Sequence, residues 1–194
     1  MIALARSFFG ALLLALLSTI LCGGCRTGSS STAPTAPTTI FSRVGMRAEL
    51  REGIWCTSST NFLGYSRFFP PGTRCLVRSR GDSQIELGLD DGSILRIAFV
   101  EKHSRMPFED WLTRQFAEEP VTLPEDLNEA ELAAIAAGVP DVGLSRRVLF
   151  LAIGYPPASI SPALELNPLR YQRMRFDKIA VHFTPDGRVL AIQD

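Results

Sequence analysis

The stretch Ser83–Lys102, SQIELGLDDGSILRIAFVEK, carries the clearest β-hairpin pattern of the chain and decides how its first half folds. Every second residue from Ile85 to Leu89 is apolar, which is the period of a strand with one buried face. Asp91-Gly92 provides the positive-φ turn chemistry of a tight hairpin, and Ile94–Val100 returns as the partner strand. The stretch therefore predicts two paired strands over an apolar core.

Residues on either side of this hairpin extend the β character. ELREGIWCTS at 49–58 and TRCLVRSR at 73–80 are rich in β-forming residues. One helix is predicted from Pro107, since MPFEDWLTRQF places four large apolar residues on one helical face at spacings of three and four. Residues 41–119 are therefore expected to form a β-rich domain, a small sheet or SH3-like barrel with one helix.

Two helices are predicted at the start of the second part, which spans residues 120–194. In LNEAELAAIAAG, Asn128 can cap a helix that Gly138 ends. Ser145 can cap a second helix within LSRRVLFLAIGYPP, residues 144–157. Gly154 is expected to take the left-handed position after that helix, and the two prolines that follow require an extended chain.

Phe150 stands out on this second helix because it falls between Arg146 and Arg147, on the side that should be polar. A large aromatic side chain there needs a cover. The cover is either the arm GYPPASISP, residues 154–162, folding back, or a partner protein.

The end of the chain, LRYQRMRFDKIAVHFTPDGRVLAI at 169–192, reads as three antiparallel strands. Ile179, Val181 and Phe183 alternate inward, and Asp186-Gly187 is a hairpin turn. Two helices followed by three strands predict a two-layer unit, so the fold class expected for the whole chain is α+β.

These residues carry a family resemblance. The run from Val142 to Ile192 resembles the SmpA/OmlA (BamE-like) domain of bacterial outer-membrane lipoproteins, with its Ser-capped helix, its Leu-Gly-x-Pro type ending and its closing Asp-Gly hairpin. Leu144 stands where Met is usual, and the aromatic strand keeps Tyr171 but lacks the Trp. The resemblance implies a BamE-like domain of two helices and three strands, an outer-membrane location and an envelope protein partner.

The N-terminus predicts export. Residues 1–24 combine Arg6 with an uncharged apolar run of 14 residues, Phe8–Leu21, which is shorter than a membrane-spanning helix and typical of a signal peptide. LCGGC then resembles a lipobox that would make Cys25 the lipidated residue; plain secretion after cleavage near the glycines is the alternative. Arg26, rather than Asp, resembles lipoproteins that are not retained at the inner membrane, which in a Gram-negative source implies the periplasmic face of the outer membrane.

Residues 25–40 are expected to be a disordered tether because Ser, Thr and Pro dominate them; a loop folded onto the domain is the alternative. Cys56 and Cys75 remain for an exported protein after Cys22 and Cys25 are used. We expect a disulfide between them in an oxidising compartment, with two buried thiols as the alternative.

Charge and motifs exclude several function classes. The chain has 20 basic and 20 acidic side chains, which predicts no nucleic-acid binding. His103 and His182 are isolated, so neither a metal site nor a cofactor is predicted. Ser145 lacks the glycine pattern of a nucleophile elbow, and no Ser-x-x-Lys or His-Glu-x-x-His motif occurs, so an enzyme is not expected.

The expected function is that of a lipid-anchored, non-catalytic cell-envelope interaction or scaffold protein, linked to outer-membrane protein assembly or envelope integrity. Phe150, Tyr155 and Tyr171 are the candidate partner-binding residues. The alternative is a periplasmic ligand- or glycan-binding module that uses the aromatic loop NFLGYSRFFPPG, residues 61–72. That loop could equally pack onto its own core.

Overall fold

The computed structural model describes residues 38–194, so the predicted signal peptide, Cys25 and most of the predicted tether lie outside the described residues. Strands and short helices alternate along this part of the chain. The strands are β1 (Thr39–Ser42), β2 (Met46–Arg51), β3 (Ile54–Ser58), β4 (Arg67–Phe69), β5 (Arg74–Arg80), β6 (Gln84–Leu89), β7 (Ile94–Ala98), β8 (Phe116–Ala117), β9 (Leu169–Met174), β10 (Asp177–Phe183) and β11 (Val189–Gln193). The helices are α1 (Glu101–Ser104), α2 (Phe108–Gln115), α3 (Glu129–Ala137) and α4 (Arg146–Ile153). Strand β1 includes the last two residues of the predicted tether, residues 39 and 40.

The first eight strands form one mixed sheet in the order β4-β2-β3-β7-β6-β5-β1-β8, curled into a half-barrel. All neighbouring pairs are antiparallel except β3 and β7, which are parallel with Trp55 opposite Leu95. The predicted hairpin is β6 and β7 at the middle of this sheet, with Gly92 at φ 82° in its turn. That prediction is confirmed, including its buried inner face.

A continuous apolar core fills the concave side of the half-barrel. Helix α2 begins after Pro107 and closes this core, as its apolar spacing predicts. The buried members of the core are Ile40, Met46, Ala48, Phe69, Cys75, Ile85, Leu87, Leu89, Leu95, Ile97, Trp111, Leu112 and Phe116. Burial of this apolar surface is the main stabilising contribution to the half-barrel.

The second core lies between α3, α4 and a three-stranded antiparallel sheet in the order β11-β10-β9. The predicted caps are present: Asn128 forms a capping box with Glu131, and the Ser145 side chain accepts a hydrogen bond from the Val148 backbone N–H. Each cap satisfies an N–H group that the first helical turn leaves without a partner.

Helix α4 ends differently from the expectation. Gly154 has φ 76° and ψ −173°, which is not the left-handed helical conformation predicted for it. The chain instead leaves the helix fully extended into Tyr155 and the two prolines. A Cβ atom on Gly154 would lie 2.7 Å from Asn61 Nδ2 and 2.8 Å from the Gly45 carbonyl oxygen, so both its backbone conformation and its surroundings require glycine.

The loop after β3 connects the two cores. Asn61 accepts a hydrogen bond from Arg47 N–H at 2.9 Å and donates to the carbonyl of Ile153, at the end of α4, at 2.8 Å. Leu63 N–H then donates to the Gln172 carbonyl on β9. Residues 61–64 are therefore bonded both to the first sheet and to the second layer.

The fold class predicted from the sequence is wrong. The molecule is mostly sheet, with an eight-stranded half-barrel, a separate three-stranded sheet and four short helices in residues 38–194, and it is not a BamE-like fold of two helices and three strands. The parallel pairing of β3 with β7 joins the β4-β2-β3 ladder to the β7-β6-β5 ladder, which makes the first sheet far larger than a small sheet or SH3-like barrel. Two helices, α1 and α2, accompany it instead of one.

Candidate functional site

The structure brings two of the three predicted contact residues together. The rings of Phe150 on α4 and Tyr155 on the arm lie 5.1 Å apart between centroids, with an interplanar angle of 38°. Both side chains are partly exposed. The arm therefore supplies part of the cover that Phe150 needs and leaves the rest of the aromatic pair at the surface.

Tyr171 has a different place from the one predicted. Its side chain is only 1% exposed and belongs to the second core. The phenol donates a hydrogen bond to the Gly154 carbonyl oxygen at 3.4 Å, and burial raises the pKa of the Tyr171 hydroxyl. Tyr171 thus holds the first residue of the arm, Gly154, from within the second core. Its side chain does not reach the surface, so it is not placed to contact a partner directly.

Arg114 is the functional candidate that the sequence did not reveal. It projects from α2, and its guanidinium carbon lies 3.8 Å from the centroid of the Tyr155 ring, a close cation–π contact. Arg114 comes from the helix that closes the first core, whereas Tyr155 follows the helix of the second core. Arg114, Phe150 and Tyr155 are hereafter called the aromatic–arginine cluster.

The arm that carries Tyr155 is held in place. Ser159 N–H donates to the His103 carbonyl at 3.0 Å, and the Ser159 hydroxyl lies 3.2 Å from His103 Nδ1. Pro156 and Pro157 are both buried. The cluster is therefore a fixed feature of the folded chain, with its geometry set before any partner arrives.

Two small cavities flank Tyr155. One, of about 10 Å³, is lined in part by Thr57, and the other, of about 20 Å³, is lined in part by Arg114. Thr57 Oγ1 and Arg114 Nη2 are buried and find no hydrogen-bond partner in residues 38–194. Each cavity has room for about one water molecule and is too small for a substrate.

The structure does not bring Cys56 and Cys75 together. Both are free thiols, and their strands, β3 and β5, are separated in the sheet by β7 and β6. A disulfide needs Cα atoms about 4.4–6.8 Å apart, whereas strands three steps apart in a sheet are separated by about twice that distance. Burial raises the pKa of the Cys75 thiol to about 12.

The aromatic loop at residues 61–72 packs onto the molecule. Phe69 is buried in the first core. Phe62 and Tyr65 contact each other with centroids 5.2 Å apart, and the Phe68 ring lies under the Arg47 guanidinium. The loop therefore does not present a platform of free aromatic rings, as the glycan-binding alternative required.

A larger, open groove of about 500 Å³ lies elsewhere on the half-barrel. Two aromatic rings, Phe99 and Phe108, form part of its wall with centroids 5.0 Å apart. Asp82, Glu101 and Lys102 lie around it. A small ligand would meet these residues and not the aromatic loop.

Within residues 38–194, no group of three or more His, Cys, Asp or Glu side chains is placed to hold a metal ion. None of the helices described there has the length and apolar character needed to cross a membrane.

Comparison of the chain with protein-family models, with curated proteins and with solved structures gives no match. The assignment of a function therefore depends on the residues and the geometry described above.

Proposed function

We propose that this chain is a lipid-anchored, non-catalytic interaction protein of the bacterial cell envelope. In this proposal Cys25 carries the lipid, the folded part faces the periplasm from the outer membrane, and the aromatic–arginine cluster contacts another envelope protein. The observation that carries the proposal is the Arg114–Tyr155–Phe150 arrangement at the surface.

The composition of the cluster supports a contact role. Tyr, Phe and Arg are enriched at protein interfaces, and Tyr and Arg in particular among the residues whose truncation weakens binding most. The cluster is held by both cores, since Arg114 comes from α2 and Tyr155 from the arm. Little conformational entropy is then lost on binding, which favours affinity.

The proposed link to outer-membrane protein assembly or envelope integrity has a narrower basis. It rests on the sequence motifs in residues 142–192 that resemble SmpA/OmlA lipoproteins, and on the lipobox-like residues before Cys25. The fold gives this link no support, because it is not that of a BamE-like domain.

Affinity capture after crosslinking in native membranes tests the proposal. Wild type is compared with Phe150→Asp, which puts a charge into the aromatic pair, and with Arg147→Glu, which changes an exposed neighbour on the same helix. Val142→Asp, at an exposed apolar position outside the cluster, is the matched control. Thermal unfolding of each purified variant separates loss of binding from loss of folding.

The expected result is that one envelope protein is captured by wild type and by Val142→Asp and is lost with Phe150→Asp. Cys25→Ser, combined with mass spectrometry of the N-terminus, tests the anchor. Equal capture by a folded Phe150→Asp variant would exclude the cluster as the contact surface.

Ligand binding is the second candidate function, and the groove beside Phe99 and Phe108 is the observation that favours it. A screen of soluble glycans and peptides against wild type and Phe108→Ala would test it. A ligand whose binding is unaffected by Phe108→Ala would exclude this groove.

A further inference from the structure

The hairpin between β9 and β10 ends in the most exposed large apolar side chain of residues 38–194. Phe176 is 89% exposed, and Met174 beside it is 43% exposed. We call residues 173–178, RMRFDK, the hairpin tip. A single exposed apolar side chain is ordinary, but an exposed Phe and Met together at the end of a projecting hairpin form a small apolar surface.

The backbone of the hairpin tip is fixed. The Gln172 side-chain amide donates to the carbonyls of Met174 and Arg175, at 2.5 Å and 2.8 Å. Gly64 N–H donates to the Arg173 carbonyl at 2.9 Å. Phe176 therefore projects from a held loop, and its exposure is built into the fold.

Charge at the hairpin tip is unbalanced. Arg173 forms ion pairs with two carboxylates, Asp177 at 2.5 Å and Asp194 at 2.8 Å. Arg175 and Lys178 have no carboxylate partner within residues 38–194, and the Arg175 guanidinium lies 5.2 Å from the centroid of the Phe176 ring. Together, Arg173, Arg175 and Lys178 outnumber Asp177 and Asp194 by one charge, and Arg175 and Lys178 are the cations of this group that are not ion-paired within residues 38–194.

Arg170 extends this positive surface along the sheet. It lies opposite Ala180 in the strand register, two positions along from the pair formed by Lys178 and Gln172 and therefore on the same face of the sheet. Arg170 is exposed and, within the described residues, is not ion-paired.

We propose that the hairpin tip docks on the anionic surface of a phospholipid bilayer, with Phe176 and Met174 entering the interface and Arg175 and Lys178 meeting lipid headgroups. Basic residues beside an aromatic or aliphatic side chain have the composition of peripheral membrane contacts, and unpaired Lys and Arg are attracted to anionic lipids. The contact is weak by itself, so it acts on a chain that is already held at the membrane and sets the orientation of the folded part.

This inference rests on the membrane anchoring of the proposed function and adds to it a second membrane contact, which orients the folded part. An acidic protein surface would also attract these cations, and the experiment below distinguishes an anionic lipid surface from an acidic protein.

Tryptophan fluorescence with brominated lipids tests the proposal. The full chain carries an N-terminal hexahistidine tag and is attached to vesicles through nickel-chelating lipid, so attachment does not depend on lipidation of Cys25. Phe176→Trp places the probe at the tip, and the emission of the wild-type chain, which carries Trp55 and Trp111, is measured under the same conditions and subtracted. Val142→Trp is the matched control, because Val142 is 61% exposed and lies far from the hairpin tip. Its neighbour Gly143 donates a hydrogen bond to the carbonyl of Val189, which lies beside the β10–β11 turn at the opposite end of the sheet.

On vesicles of phosphatidylglycerol and phosphatidylcholine, we expect brominated acyl chains to quench the Phe176→Trp signal at least about twofold more than the Val142→Trp signal. Vesicles of pure phosphatidylcholine, or high salt, should remove most of the difference in quenching between the two probes. Adding Arg175→Glu and Lys178→Glu to the Phe176→Trp variant should have the same effect.

Equal quenching of the two probes on vesicles to which the protein demonstrably co-floats would overturn the proposal. A Phe176→Trp probe that is unquenched on pure vesicles but shielded from aqueous quencher in native membranes would also overturn it, and would assign the tip to an acidic protein. Absence of lipid on Cys25, measured separately by mass spectrometry, would contradict the proposed anchor. It would not affect the quenching experiment, in which the hexahistidine tag attaches the chain.

Discussion

The Arg114 guanidinium lies 3.8 Å from the centroid of the Tyr155 ring and so joins the helix that closes the half-barrel to the arm that follows α4. The two residues are separated by 41 positions in the sequence and belong to different cores. Their contact places the partly exposed Phe150–Tyr155 pair at the junction of the two cores. The position of the proposed contact surface therefore depends on how the cores pack together.

Removal of this contact should lower stability. Arg114→Ala is expected to decrease the free energy of unfolding by about 1 kcal/mol, since a partly desolvated cation–π pair contributes on that scale. Arg114→Lys should recover part of the loss, because an ammonium keeps the charge but not the flat stacking of the guanidinium. Urea unfolding measures both. Arg147→Ala, at an exposed site, is the control, and a loss in the control as large as in Arg114→Ala would contradict the assignment.

Gly154 should be more sensitive to substitution than a glycine of similar φ elsewhere. Gly154→Ala is expected to cost at least about 2 kcal/mol more than Gly187→Ala. Both residues have φ near 80°, at 76° and 79°, and a Cβ on Gly187 meets nothing within 4 Å. Gly154 combines its φ with ψ −173°, a conformation essentially confined to glycine, and a Cβ there would overlap Asn61 and the Gly45 carbonyl. Unfolding midpoints of the two variants give the comparison. Equal losses would contradict the extra cost argued for Gly154.

The Cys75 thiol should make stability depend on alkaline pH. Burial raises its pKa to about 12 from an ordinary value of 9.0. Between these values the unfolded chain loses the thiol proton while the folded chain keeps it, so stability falls as pH rises, by up to about 1.4 kcal/mol per pH unit. Unfolding of wild type and Cys75→Ala from pH 8 to 11 should show the extra slope in wild type only. Cys56→Ala controls for the loss of a thiol, and identical slopes in wild type and Cys75→Ala would refute the argument.

Local patterns in the sequence predicted much of the secondary structure. The β6–β7 hairpin follows from alternation and an Asp-Gly turn within about 20 residues, and the caps at Asn128 and Ser145 follow from side chains that bond to N–H groups three residues away. Such signals need no knowledge of the tertiary structure.

Long-range pairing could not be read in the same way. Nothing local in the sequence places Trp55 beside Leu95 in a parallel ladder, and this pairing is what enlarges the first sheet and separates Cys56 from Cys75. The aromatic–arginine cluster likewise depends on contacts between elements that are distant in the sequence. The unusual position of Phe150 was visible in the helical pattern, but Arg114 belongs to another element and Tyr171 turned inward with its strand.

Site-specific photo-crosslinking in cells tests the central claim most directly. A photoreactive amino acid replaces Phe150 in one strain and Val142 in another, and the adducts are identified by mass spectrometry. The account predicts a discrete adduct with one envelope protein from position 150 and none from position 142. A chain that is folded and anchored but forms no adduct at position 150, or forms the same adducts at both positions, would contradict it.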